Sequence, residues 1–174
     1  QWVPITASSR QPKPATGEDS FFAETLSTPR TIRSMLPLRT TKELSAADGL
    51  GDMVYSEVRI IYEIGDGVSG HPRVAHGGFV STLMDEAMGV LILLNGDAIV
   101  ERKKESGLPG PHEPLVCFTA YLNTTYRKPL PAPSVVLCKV KFDRVVRNKI
   151  YINATLEDGK GTVFTEAHSM FVSM

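Results

Sequence analysis

The 174-residue sequence predicts one α+β domain, an antiparallel sheet curled around a single central helix. Three observations predict it. Residues 78–94 are apolar on almost every side at helical spacing, which marks a helix wrapped by other structure. An alternating segment, residues 53–64, precedes the helix and reads as a strand. Four strand-like segments follow it with short turns between them, which implies an antiparallel meander.

Along the chain, residues 1–18 read as an extended arm, rich in proline, serine and threonine and poor in apolar periodicity. Residues 19–52 read as a helical extension with a short first strand. Asp19 and Ser20 are capping residues for a short helix whose Phe21, Phe22 and Leu26 share a face, and Thr28 and Pro29 suggest the start of a second. The first strand is expected over residues 36–41. Residues 53–174 form the main domain. Gly65, Gly67, Gly70 and Pro72 make a loop into His76, and Asn95 followed by Gly96 is a helix stop signal. A polar loop is expected over residues 96–113, carrying Arg102, Lys103 and Lys104 as solvated charge. Strands are then expected over residues 114–126, 133–146, 149–156 and 161–172.

Composition excludes several classes of function. Acidic and basic residues balance at 19 each, giving no electrostatic case for nucleic acid or an anionic membrane. The longest apolar run, residues 87–94, is too short to span a bilayer. Cys117 and Cys138 sit in strand-like surroundings and read as buried free thiols of a reducing compartment. His71, His76, His112 and His168 form no metal-ligand spacing, so neither a metal nor another cofactor is expected. The chain starts at Gln1 rather than Met, which suggests that something N-terminal has been removed.

The stretch that carries chemistry runs from His76 to Glu86. A histidine and two glycines open the apolar helix, and Asp85 and Glu86 lie in its middle, where a desolvated carboxylate is costly unless it is paired or used. The residues Gly70, His71, Pro72, Arg73, Val74, Ala75, His76, Gly77 and Gly78, with Asp85 nine places past His76, resemble the hotdog-fold acyl-CoA thioesterases, in their PaaI-like and THEM-like branch. The segment from Thr119 through Tyr126 to Arg127, Lys128 and Pro129 agrees, as do Asn148, Lys149, Ile150 and Tyr151 and the last strand from Thr165 to Val172. The resemblance covers roughly residues 53–174, and residues 19–32 resemble an extension of fungal relatives.

What the resemblance implies is a hotdog-fold, metal-free acyl-CoA thioesterase of lipid metabolism, acting as a homodimer or dimer of dimers. It implies Asp85 as base or nucleophile, Thr119 as the hydroxyl that helps place water, and Gly77 with Gly78 as backbone donors to the thioester carbonyl. His76 would orient that loop. Some relatives carry Asn where this chain has Gly70, which leaves His71 as an auxiliary candidate. Arg127 and Lys128, with Asn148 and Lys149, are the candidate coenzyme A contacts. The expected location is intracellular, in the mitochondrion or the cytoplasm, the former from the fungal and eukaryotic resemblance and the missing start.

The chemistry fits these residue types. The first amides of a helix lack intrahelical partners and sit at its positive end, and glycine lets a carbonyl approach closely. Desolvation by its neighbours would make Asp85 a better base. Glu86 is read as a solvated or interface residue, and Met84, Met88 and Leu91 as core or acyl-tunnel side chains. Nine residues separate His76 from Asp85 by about 13 Å along a helix and place them on nearly opposite faces. One chain therefore cannot aim Gly77 and Asp85 at the same carbonyl, whereas two antiparallel helices across a twofold axis can. Two other readings stand beside the hydrolase: a hydroxyacyl dehydratase or enoyl hydratase using His71 and Asp85, fourteen residues apart, and a non-catalytic acyl-thioester binder.

Overall fold

The computed structural model describes residues 1–5, 12–109, 112–113 and 115–174. The remainder of the expected arm and the expected strand start at Pro114 lie outside them. Among the described residues the main elements are β1 (Trp2–Pro4), β2 (Ile32–Thr40), β3 (Glu57–Ile64), the hairpin β4 (Ser69–His71) and β5 (Val74–Ala75), and α1 (Gly77–Glu105). After the helix come β6 (Cys117–Tyr126), β7 (Ser134–Val146), β8 (Lys149–Glu157) and β9 (Val163–Ser173). Seven strands form one antiparallel sheet in the order β1-β2-β3-β7-β8-β9-β6. The α+β hotdog arrangement, a sheet wrapped around one long helix, is the one the sequence predicts.

Alternation makes the sheet two-faced. Val58, Ile60, Tyr62 and Ile64 of β3 are wholly buried while the residues between them are not. Val136, Cys138, Val140 and Phe142 of β7 continue that layer, as do Ile150, Ile152, Ala154 and Leu156 of β8. Against it lie Leu83, Met84, Ala87, Met88 and Leu91 of α1, none with any exposed surface. By length and composition α1 could cross a membrane, but half of its most apolar window is buried in this protein's own core. Cys117 and Cys138 are free, and burial pushes their thiols up to about 11 and about 12. Thiols held protonated in this way are poor nucleophiles.

The strands after the helix are not a simple meander. β7, β8 and β9 follow one another, but β6 pairs with β9 at the far edge, so the link from Tyr126 to Ser134 crosses the curl of the sheet instead of making a hairpin. Tethers on that link are the Ala75 N–H to Leu130 carbonyl bond (2.9 Å) and the Arg127 and Lys128 amides on the Phe164 carbonyl (2.8 and 3.1 Å).

The helix runs eleven residues past the expected stop at residue 94. Asn95 caps nothing. It is wholly buried, accepts the Val54 and Tyr55 amides on Oδ1 (2.6 and 2.9 Å), and donates from Nδ2 to the Tyr55 and Leu91 carbonyls (3.0 and 2.9 Å). Gly96 is small for a related reason, since a Cβ there would stand 3.1 Å from Leu115 Cβ. The pair therefore docks the segments at Val54 and Leu115 on the helix. Arg102, Lys103 and Lys104, expected in a loop, form the last helical turn, where positive charge suits the negative end of the dipole. Arg102 pairs with Glu43. Asn95→Leu is expected to cost about 3 kcal/mol, because buried amides at Val54 and Tyr55 lose their acceptor. Urea denaturation checks this, and a loss within experimental error would mean that apolar packing alone holds the segment.

Among the described residues, parts of the N-terminal region pair with the sheet or form turns. Trp2–Pro4 adds to the edge of β2, with the Arg59 guanidinium 4.1 Å over the Trp2 ring. The expected short helix is a five-residue turn, Phe21–Thr25, entered from Asp19 at φ 63°. No second helix starts at Thr28: its carbonyl accepts the Thr31 amide (3.1 Å), the two hydroxyls lie 2.8 Å apart, and the chain turns directly into β2. That strand begins four residues earlier than expected, at Ile32.

Candidate active site

Asp85 and Thr119 meet: the Thr119 hydroxyl donates to Asp85 Oδ1 at 2.9 Å. They line a cavity of about 640 Å³ with Ser81, Glu86 and Leu122, its other wall being residues of the N-terminal extension. The contact depends on an irregularity in β6. Leu122, Thr124 and Tyr126 face the helix and stand opposite Ser169, Ala167 and Thr165 of β9, so strict alternation would turn Thr119 outward. Between Thr119, opposite Phe171, and Tyr121, opposite Met170, the extra residue Ala120 forms a bulge that restores the inward direction. Alternation alone did not signal this bulge.

Burial of the acid pair is the reverse of the sequence expectation. Asp85 is half-buried and opens on the cavity, whereas Glu86, expected to be solvated or at an interface, is only 7 % exposed. The helix turns Glu86 toward the extension and Asp85 toward β6, a partition that adjacency along the sequence cannot reveal.

The glycine end is built around one amide. His76 is the N-cap, and its Nδ1 accepts the Gly78 amide (3.0 Å), so this nitrogen carries no proton. Gly78 is thereby committed to the cap and does not serve as the second donor expected from the sequence. The His76 carbonyl accepts the Val80 amide (3.1 Å), and the Gly77 carbonyl accepts the Tyr126 hydroxyl (2.8 Å). Both peptide planes flanking Gly77 are thus fixed, and with them the direction of its N–H at the positive end of α1. The Ser81 hydroxyl lies 2.7 Å from that of Tyr126 and 3.2 Å from that of Thr124, joining helix to strand. Tyr126 and Ser81 are positioning residues that sequence reasoning missed; their only signal was a tyrosine at the end of a matching strand.

Gly70 is required by the cap: a Cβ there would come within 2.8 Å of the His76 ring. His71, the auxiliary candidate, does not reach the Asp85 cavity of its own chain. It is exposed on β4 and lies outside the residues lining the Asp85 cavity, so the pair proposed for dehydratase chemistry is not assembled in this chain.

Gly77 and Asp85 open on different cavities. Gly77 lines one of about 320 Å³ together with Tyr126, Arg127 and Lys128. Eight residues of helix, about 12 Å, separate the two groups. Of the candidate coenzyme A contacts, Arg127 and Lys128 stand at the Gly77 end, where Arg127 pairs with Glu166 (2.7 Å). Asn148 and Lys149 stand at the other end of the sheet: Lys149 pairs with Val172, eight residues along β9 from the Phe164 carbonyl that holds Arg127, or about 26 Å. One chain does not bring the four together. Among the described residues no three His, Cys, Asp or Glu side chains cluster as a metal site would need.

A family model described as the thioesterase superfamily matches residues 73–165. Acyl-coenzyme A thioesterase THEM4 of Mus musculus is 27% identical over 138 residues, 75% of this chain and 52% of that protein. The chain thus spans about half the length of that relative. Verlamelin biosynthesis protein B of Lecanicillium sp is 27% identical over 168 residues, 87% of this chain and 71% of the relative. A hypothetical thioesterase protein of Streptococcus pneumoniae TIGR4, solved with coenzyme A, superposes with a TM-score of 0.55 at 16% identity, covering 72% of this chain and 81% of that one, a likeness of fold.

Proposed function

Because this chain belongs to the thioesterase superfamily, we propose that it hydrolyses fatty acyl-CoA to free acid and coenzyme A at sites shared between two subunits. The observation that carries the proposal is the Thr119 to Asp85 hydrogen bond in an open cavity. Thr119 holds one carboxylate oxygen, and the other takes a proton from water as the water oxygen bonds to the thioester carbon. The Gly77 amide of the other subunit stabilises the oxyanion. Collapse breaks the carbon–sulfur bond, and the proton passes from Asp85 to the departing thiolate.

The geometry of β6 favours a shared site. It is the last strand of the sheet, with Phe118 59 % and Tyr126 52 % exposed; among the described residues no strand pairs with its outer edge, and an edge with such side chains invites pairing. Within one chain Tyr126 holds Gly77 at one end of β6 and Thr119 holds Asp85 at the other. Antiparallel pairing of two β6 strands about a twofold axis sets these ends against each other, so Gly77 of one subunit faces Asp85 of the partner subunit. The same operation carries Asn148 and Lys149 of the partner subunit toward Arg127 and Lys128, so the coenzyme A contacts would be composite as well.

The test is coenzyme A release from acetyl-, octanoyl- and palmitoyl-CoA, read with a thiol reagent. Turnover of at least one is expected. Tight binding of all three without thiol release would leave an acyl-thioester binder, and hydration of an enoyl-CoA without hydrolysis would replace the proposal.

A further inference from the structure

We propose that the N-terminal extension forms the binding site for the acyl tail, which passes from the Asp85 cavity into a second chamber between the extension and β2. The inference rests on the hydrolase reading for its ligand, and on this chain's own walls for its place. Across from Asp85 and Thr119, the first cavity is closed by the extension, including Gly17, Ser20, Phe21 and Phe22. Behind Phe22 lies a chamber of about 240 Å³ whose apolar wall includes Ala23, Ile32 and Met35. Phe22 and Glu86 line both spaces, so the two spaces are neighbours across these side chains, which a tail entering the chamber would pass. Glu86 stands beside Asp85, where the thioester reacts; beyond it the apolar Phe22, Ala23, Ile32 and Met35 offer the tail its contacts, with Ser27, Arg33 and Ser34 also on the chamber wall.

The chain builds this chamber deliberately. Lys13 and Glu18 close a small loop with a backbone bond (3.0 Å) and an ion pair (2.8 Å). The positive φ of Asp19 then turns the chain into Phe21–Thr25, with the two phenylalanine rings edge to face at 5.4 Å. The Leu26 carbonyl accepts the Thr31 hydroxyl (2.6 Å) and the Ile32 amide (2.9 Å), which folds the turn back on β2. There the register shifts between Ile32 and Ser34, and such a bulge bends a strand away from its regular course. Apart from Glu86, the residues that line the chamber lie outside residues 73–165, so most of its wall comes from the extension and β2 and not from the segment matched by the family model.

Ala23, in the Phe21–Thr25 turn, and Met35, in β2, both line the chamber and lie outside the catalytic machinery, which makes Ala23→Trp and Met35→Trp suitable for filling it. The probes are non-hydrolysable S-alkyl-CoA thioethers of increasing length, titrated calorimetrically into the full chain. Wild-type affinity is expected to rise about fourfold per methylene once the tail reaches the chamber. In both variants that rise should stop, long chains losing about tenfold or more, while the S-ethyl compound binds as before. Folded variants that keep the wild-type dependence on length would overturn the proposal. A dodecyl thioether with a terminal diazirine, photolysed on the wild type, gives the answer even if both variants misfold: label within residues 22–35, or on Pro12 or Glu86, which also line the chamber, supports it, and label elsewhere overturns it. Absence of thiol release from every acyl-CoA would count against hydrolysis alone, since thioether binding and labelling need no turnover.

Discussion

Asp85→Asn is expected to lower kcat by about a thousandfold, in the range of a lost general base, while leaving thioether affinity close to that of the wild type. The substitution is nearly isosteric, and an amide oxygen still accepts the Thr119 hydroxyl that meets Asp85 at 2.9 Å. Asp85 is half-buried beside an open cavity, so removing its charge leaves no buried cation unpaired and should not lower stability. What disappears is the proton acceptor. Steady-state kinetics with thiol detection, together with calorimetric binding of the thioether, separates the two effects. A variant that hydrolyses acyl-CoA within a few-fold of the wild-type rate would remove Asp85 from the reaction and leave Glu86, which also lines the cavity, to be tested in its place.

The residues around Asp85 show what sequence periodicity can and cannot deliver. The apolar helix and the strands are legible because periodicity is a local pattern, and the matching motif singles out Asp85 and Thr119 without saying that they meet. The Ala120 bulge is not, because one extra residue changes which face a side chain takes without disturbing the composition of the strand. Asn95 and Gly96 mislead for a different reason: they make a good helix stop in isolation, but tertiary bonds to Val54 and Tyr55 give the asparagine a better role inside the helix. Glu86 reads from the sequence as a solvated or interface residue because the extension that lies against it is about sixty residues away in the chain. The capture of Gly78 by His76 depends on ring orientation, which no spacing rule supplies.

Gly77→Pro tests the other half of the site, and it removes one atom group with little else. Gly77 is the first residue of α1, the helical position at which proline is best tolerated. His76 before it is already extended (φ −63°, ψ 134°), the conformation a following proline requires. A Cβ at Gly77 would lie 3.4 Å from the Tyr126 ring, an ordinary contact, and the carbonyl held by the Tyr126 hydroxyl remains. Only the N–H is lost, and kcat is expected to fall about a hundredfold to a thousandfold, as for a missing oxyanion donor. Mixing this variant with Asp85→Asn then decides where the two groups meet. If each site lay within one chain, every subunit of the mixture would carry a defect and activity would stay at the level of the separate variants. If the site is shared, a mixed dimer has one site with both defects and one with neither. Half of the dimers formed after unfolding and reassembly are mixed, so activity should return to about a quarter of the wild-type value. Recovery of that size requires Gly77 and Asp85 to act across the twofold axis, and its absence from reassembled dimers would confine each site to a single chain.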